Sequence, residues 1–168
     1  REKAINFFTL IEIIMVHYLR REGAGFQKIK TAHKELGEMK QTLYPFAHAE
    51  VWTDRKKLFY DLKTSVMELD SKRQLSFSEM VKPYCKKIDF RESTRLAERF
   101  WPLGKDRSVV VDPHHHFGQP VLSGTNITTD SIISMINAGE SPDFIASIYE
   151  LNVNAVKDAM EFENRSAA

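Results

Sequence analysis

Thiols are almost absent from this 168-residue chain, and the single cysteine, Cys85, excludes an internal disulfide framework and any cysteine-rich zinc site. Long apolar runs are missing as well. The longest nearly uncharged stretch, Ile5 to Leu19, contains Glu12 and His17 and is shorter than a bilayer span requires. No basic, apolar, small-residue signal peptide opens the chain. Membrane and secretory readings therefore fall away, and a reducing cytoplasm is the expected compartment. Also lacking are a Gly-x-Ser-x-Gly nucleophile elbow, a phosphate-loop lysine, a dinucleotide glycine pattern, internal repeats and low-complexity segments. The chain begins with Arg1 rather than Met, which leads us to expect natural sequence upstream.

Charge of one sign is scarce only when the halves are taken separately. The formal net charge is +1, yet residues 1–107 hold 22 basic against 15 acidic side chains and residues 108–168 hold 2 against 8. A basic module can condense on phosphates, whereas an acidic one is repelled by them and suits a protein partner. Solvated faces, or attraction between the two halves, are the bland account of the same split.

Apolar spacing and cap residues predict an α+β, mostly helical chain. Asn6 is a good N-cap for a helix over Ile5 to Arg21, with Phe8, Ile11, Met15 and Leu19 at helical spacing and Gly23 and Gly25 ending it. A second helix, about Phe26 to Met39, carries Phe26, Ile29, Ala32 and Leu36 on one side and leaves Lys28, Lys30, Lys34 and Lys40 for solvent, and the tight joint implies a helical hairpin. Ala49 to Thr53 and Leu58 to Leu62 read as strands around a basic turn, followed by short strands over Val66 to Leu69 and Leu75 to Phe77 and a helix over Ser78 to Cys85 interrupted by Pro83. Residues 1–88 thus form a basic module and 89–107 a linker. Residues 108–164 form an acidic module with a strand at Val109 to Val111 and three short helices: Thr129 to Asn137, one capped by Ser141 with Pro142 in first position, and one from about Asn152. Ile132, Ile133, Ile136, Ile145, Ile148, Tyr149, Val153, Val156 and Met160 give these helices a shared inward pattern, and the four-residue turn around Glu150 to Val153 suits a helix-turn-helix-like unit.

Candidate chemistry is thin. Asp112-Pro113-His114-His115-His116 invites a metal reading, but consecutive side chains cannot converge on one ion from a strand and no His-x-x-x-His completes a shell, so a polar loop with Asp112 capping a turn is preferred. Cys85 sits in a basic neighbourhood that could lower its pKa, yet lacks a local His or Asn. Neither an enzyme nor any cofactor is expected. Lys28, Lys30 and Lys34 on a helix, with Arg55, Lys56 and Lys57 at a hairpin tip, could instead engage neighbouring phosphates. The last helix is a poor guest for the major groove, carrying Lys157 against Asp158, Glu161 and Glu163, and dimerisation through Val153, Val156 and Met160 or partner binding suits it better.

The acidic module resembles the small trihelical domain, long of unknown function, found in VapB-like antitoxins. The resemblance is carried by Val111-Asp112-Pro113, Phe117-Gly118-Gln119-Pro120-Val121, Gly124-Thr125, Ile127, Ala138-Gly139-Glu140-Ser141 through Tyr149, and Val156 to Phe162. Phe7 to Glu12, Leu19 to Gly23, Phe26 to Ala32, Tyr44-Pro45-Phe46-Ala47 and Trp101-Pro102 resemble the MerR-like module fused to it in the longer members. That resemblance implies a bacterial type II antitoxin: a cytoplasmic homodimer that neutralises a PIN-domain ribonuclease toxin and represses its own operon by binding operator DNA. Arg91, Arg95, Arg99 and Arg165 are the basic side chains available to occlude a toxin's acidic site. Asn126 stands where the family commonly has Arg after Gly-Thr, and His114 to His116 where basic residues are common, so contacts from those positions do not carry over. Longer relatives also start with a helix-turn-helix ahead of the segment matching Phe7 to Arg21, which implies a trimmed or naturally short form here. A stand-alone DNA-binding regulator without a toxin and a pure protein interaction module are the alternatives.

Overall fold

The computed structural model describes residues 5–48 and 83–166. The expected basic hairpin with Arg55, Lys56 and Lys57, the strands over 66–69 and 75–77, and the start of the 78–85 helix lie outside those residues. The chain divides between Ala97 and Glu98 into two compact units. Its elements are mostly helical with a small antiparallel sheet whose four strands follow one another in chain order. Among the described residues no helix is long and apolar enough to cross a membrane.

In the first unit, α1 (Phe7–Arg21) starts as its sequence dictates: the Asn6 side chain accepts from the Thr9 N–H at 2.8 Å. Gly23, at φ +94°, lets the chain reverse so that the Ala24 N–H reaches back to the Leu19 carbonyl at 2.9 Å. The helix buries Ile11, Met15 and Leu19. Helix α2 (Phe26–Lys40) buries Ile29, Ala32 and Leu36 and ends on Gln41 in the left-handed region. A 3-10 turn follows over Pro45–Ala47, all three residues buried. Residues 83–85 are helical, and Tyr84 lies against Tyr18 (centroids 5.8 Å apart) with its hydroxyl donating to the Ile11 carbonyl at 3.3 Å. Strand β1 (Ile88–Phe90) then leads into a turn whose closure is made by the Arg91 N–H to the Leu96 carbonyl at 2.9 Å.

The unit boundary falls inside the stretch read as a linker, at the start of β2 (Ala97–Phe100). In the second unit, β3 (Val109–Val111) pairs antiparallel with β4 (Pro120–Leu122), Val110 opposite Val121, while Phe100 of β2 faces Val111. Three helices cover this sheet's core side: α3 (Thr129–Asn137), α4 (Pro142–Ile148) and α5 (Val153–Ser166). The hydroxyls of Thr128 and Ser141 cap α3 and α4, each accepting from the backbone N–H three residues on at 3.2 Å. Val109, Leu122, Ile132, Ile145, Val156 and Ala159 form one buried cluster, against which Met135, Val153 and Met160 pack partly buried. Three helices this short owe their stability to that shared burial rather than to propensity.

Gly139 ends α3 at φ +98° with open space around it. Gly139→Ala should therefore cost about 1 kcal/mol, from backbone conformation alone. Ile145→Ala, which hollows the cluster, should cost about 2–5 kcal/mol in the same chemical denaturation series. Equal losses for the two variants would contradict this packing.

Candidate functional site

Three side-chain systems stand out, and each lies within one unit. In the first unit Glu12 is buried on the inner face of α1, where an apolar residue would be ordinary. Its Oε1 accepts the N–H groups of Phe46 (2.7 Å) and Ala47 (3.1 Å). Its Oε2 lies 2.9 Å from His33 Nε2, but no donor among the described residues is aligned with it. Burial pushes the Glu12 carboxyl up to about 7, outweighing the two N–H groups that favour its charge, and burial also pushes His33 below the usual imidazole range. Both shifts favour the uncharged form of each group. The His33 ring stands edge-on to Phe46, centroids 5.2 Å apart. One carboxyl thus ties α1, α2 and the 45–47 turn together and fixes the side of α2 from which Lys30 and Lys34 project, both exposed, while Lys28 is partly exposed. Lys34 is within 3.8 Å of Glu38, a solvent-screened pair of little energetic weight.

In the second unit Arg107 donates to Asp158 at 2.7 Å and to Glu161, and the Ser108 N–H donates to the other Asp158 oxygen at 2.7 Å. Burial raises the Asp158 pKa, but the Arg107 and Ser108 hydrogen bonds outweigh it and hold the carboxyl below its usual range. This pins the strand β3 entrance to α5.

The third system is the loop after β3. Asp112 is buried; its Oδ2 accepts from Arg99 Nε at 3.0 Å and its Oδ1 from the His114 N–H at 2.8 Å, the turn cap expected from the sequence. His114, His115 and His116 are exposed, and no group of three His, Cys, Asp or Glu side chains among the described residues could hold a metal ion. His116 (φ +43°), Phe117 (φ +55°) and Gly118 (φ +79°) run consecutively through the left-handed region, and the Phe117 side chain is fully exposed. Each non-glycine residue there costs about 1–2 kcal/mol, and an exposed phenyl ring returns nothing to the fold.

The remaining candidates are scattered. Arg91 and Arg95 sit in the β1–β2 turn of the first unit, whereas Arg99 on β2 and Arg165 near the end of α5 belong to the second, Arg165 paired with Glu161. Val156 is fully buried, and Val153 and Met160 pack on the same cluster, so this stripe serves the unit's own interior. Cys85 is no activated thiol: burial pushes its pKa up to about 12 despite the nearby lysines. Sequence reasoning missed Glu12, Arg107 and Asp158. For Glu12 the available signal was an acid set among apolar residues at i−4 and i+3, Phe8 and Met15, whereas Asp158 has Asn154 and Glu161 at those positions and carries no such signal.

Residues 109–162 match the family described as "Protein of unknown function (DUF433)". The chain is similar to a protein of Mycobacterium tuberculosis named "Putative antitoxin VapB45", 23% identical over 171 residues, covering 94% of this chain and 70% of that one. Its fold is similar to the crystal structure of Rv2018 from Mycobacterium tuberculosis, with a TM-score of 0.75 at 22% identity over 93% of this chain and 78% of the other. The resemblance to VapB-like antitoxins is borne out by these matches, and the α+β, mostly helical fold by the structural one.

A carboxyl raised from 4.5 to about 7 in the fold favours the folded state when protonated; that contribution is full below pH 4.5 and is lost as pH rises through about 7. Glu12→Gln keeps an acceptor for Phe46 and Ala47 and cannot ionise. It should therefore gain stability over the parent across that window, levelling at about 3 kcal/mol above neutrality. Urea denaturation between pH 4.5 and 8 checks this, and parallel curves for the two proteins would contradict a protonated Glu12.

Proposed function

We propose that this protein is the antitoxin of a bacterial type II toxin–antitoxin system, acting by binding rather than catalysis. The observation that carries the reading is the similarity to "Putative antitoxin VapB45" along 94% of the chain. In this reading the partner is a PIN-domain ribonuclease, whose clustered carboxylates hold the divalent metal used for RNA cleavage. Occluding those carboxylates calls for basic side chains backed by an apolar anchor. The second unit offers both: Arg99, Arg165 and the loop that Asp112 braces and from which Phe117 projects.

Autorepression falls to the basic first unit. Residues 1–97 carry 19 basic and 13 acidic side chains, residues 98–168 carry 5 and 10. Lys28, Lys30 and Lys34 on α2, with Arg55, Lys56 and Lys57 of the sequence, are the proposed phosphate contacts on operator DNA, and the protein acts as a cytoplasmic homodimer. The protein would set affinity with these lysines, since phosphate contacts position a protein without reading sequence.

Co-expression of the natural gene with its immediate neighbour, followed by size exclusion with mass detection, tests the reading. A ribonuclease-sized protein should co-elute, and RNA cleavage should appear once this chain is degraded. A lone dimer that still shifts its own promoter would replace the antitoxin by a stand-alone regulator, and a protein that binds neither would leave an interaction module.

A further inference from the structure

The turn between β1 and β2 is built more tightly than a connection needs. Besides the Arg91 N–H to Leu96 carbonyl bond, the Arg95 N–H donates to the Arg91 carbonyl at 2.8 Å, and the Leu96 N–H donates to Thr94 Oγ1 at 3.4 Å. His48, directly after the 45–47 turn that Glu12 holds, bridges antiparallel to Leu96. The turn is therefore fixed to the helical body of its own unit. Arg91, Glu92, Ser93 and Thr94 are exposed, and Arg95 sits at φ +60°, a position at the end of a hairpin turn that glycine or asparagine fills most easily. An arginine there strains the backbone, and the fold would be better served by glycine. A residue that opposes local preference on a rigid, exposed turn points to a task other than folding.

The chemistry of the tip selects the partner. Arg91-Glu92-Ser93-Thr94-Arg95 contains two guanidinium groups, one carboxylate and two hydroxyls, net +1, and no apolar side chain. A protein interface is centred on an apolar or aromatic anchor, which this tip lacks, whereas phosphate contacts are made by arginine, serine and threonine without one. The turn also belongs to the basic unit, with Lys86 exposed just ahead of β1. We propose that the 91–95 turn is a second contact of the first unit with the phosphate backbone of duplex DNA, made by Arg91 and Arg95. This rests on the DNA-binding reading above, and it assigns these two arginines to DNA rather than to the toxin.

The test uses the full chain and a labelled duplex of its own promoter, with affinity measured by anisotropy from about 50 to about 200 mM salt, the range over which phosphate contacts are strongly weakened. Arg91→Gln with Arg95→Gly should lower the slope of log K against log salt by about 1.8, at about 0.9 per lost contact, and weaken binding about tenfold or more at the low-salt end. Arg95→Gly alone should lose one contact while melting no lower than the parent, so its loss cannot be ascribed to unfolding. Arg95→Lys should keep the slope, and Glu92→Gln should strengthen binding. If the parent binds the duplex and the double variant binds with the same slope, the turn is not a contact, although the DNA reading stands. If the double variant keeps its slope but no longer retains the co-expressed toxin, the turn belongs to the toxin interface and the proposal falls. If the parent binds no duplex at any salt, the DNA reading fails first and the turn assignment with it.

Discussion

A carboxyl group enclosed by protein must receive hydrogen bonds or give up its charge, and the two units of this chain meet that demand in opposite ways. Asp158 receives both Arg107 and the Ser108 N–H and stays ionised. The geometry leaves no freedom in where α5 lies against the entrance to β3, because displacement would strand a buried charge. Glu12 takes two backbone N–H groups on one oxygen and lies 2.9 Å from the His33 ring with the other, and burial pushes its pKa up to about 7. The first unit is accordingly held by a polar knot that is sensitive to pH, and the second by an ion pair that persists wherever carboxylates are charged.

That difference bears on what each unit can do. The bonds from Glu12 position the 45–47 turn, the following His48 bridges to Leu96, and Leu96 closes the turn that bears Arg91 and Arg95. A single buried acid is thus connected, through backbone contacts within one unit, to the turn of that unit that bears Arg91 and Arg95. In the second unit the equivalent support comes from Asp112, which joins Arg99 to the loop presenting Phe117. In both cases a strained, exposed tip sits on a carboxyl anchor, and the tips differ in chemistry: arginine and hydroxyl in one, phenyl and imidazole in the other.

The helices were legible in the sequence because their signals are local. Asn6, Ser141 with Pro142, Gly23 and Gly139 each mark an end that the structure places within a residue or two, and the apolar spacing around Ile132, Ile145 and Val156 identifies the face that packs. Long-range satisfaction was not legible. Nothing near Asp158 in sequence announces Arg107, 51 residues away, and nothing near Glu12 announces the N–H groups of Phe46 and Ala47. The stripe Val153, Val156 and Met160 read equally well as a dimer seam or an interior face, because periodicity reports that a face is covered and not by what. The polar stretch at 89–107 read as a linker for a related reason: β2 is only four residues long, too short to carry an alternating pattern.

On the proposed reading, the charge asymmetry divides the labour between the units. An acidic trihelical unit brought to a phosphate surface meets electrostatic repulsion, so the proposed DNA contact is assigned to the basic unit. On that reading a toxin draws on other cations, Arg99 and Arg165 of the second unit, which are held by Asp112 and Glu161. Salt would consequently act unequally on the two proposed associations: it would release the first unit from phosphates, while a toxin contact that covered the exposed Phe117 ring would be screened less. On the proposed reading, a chain so divided would hold a toxin under ionic conditions in which it had let go of operator DNA.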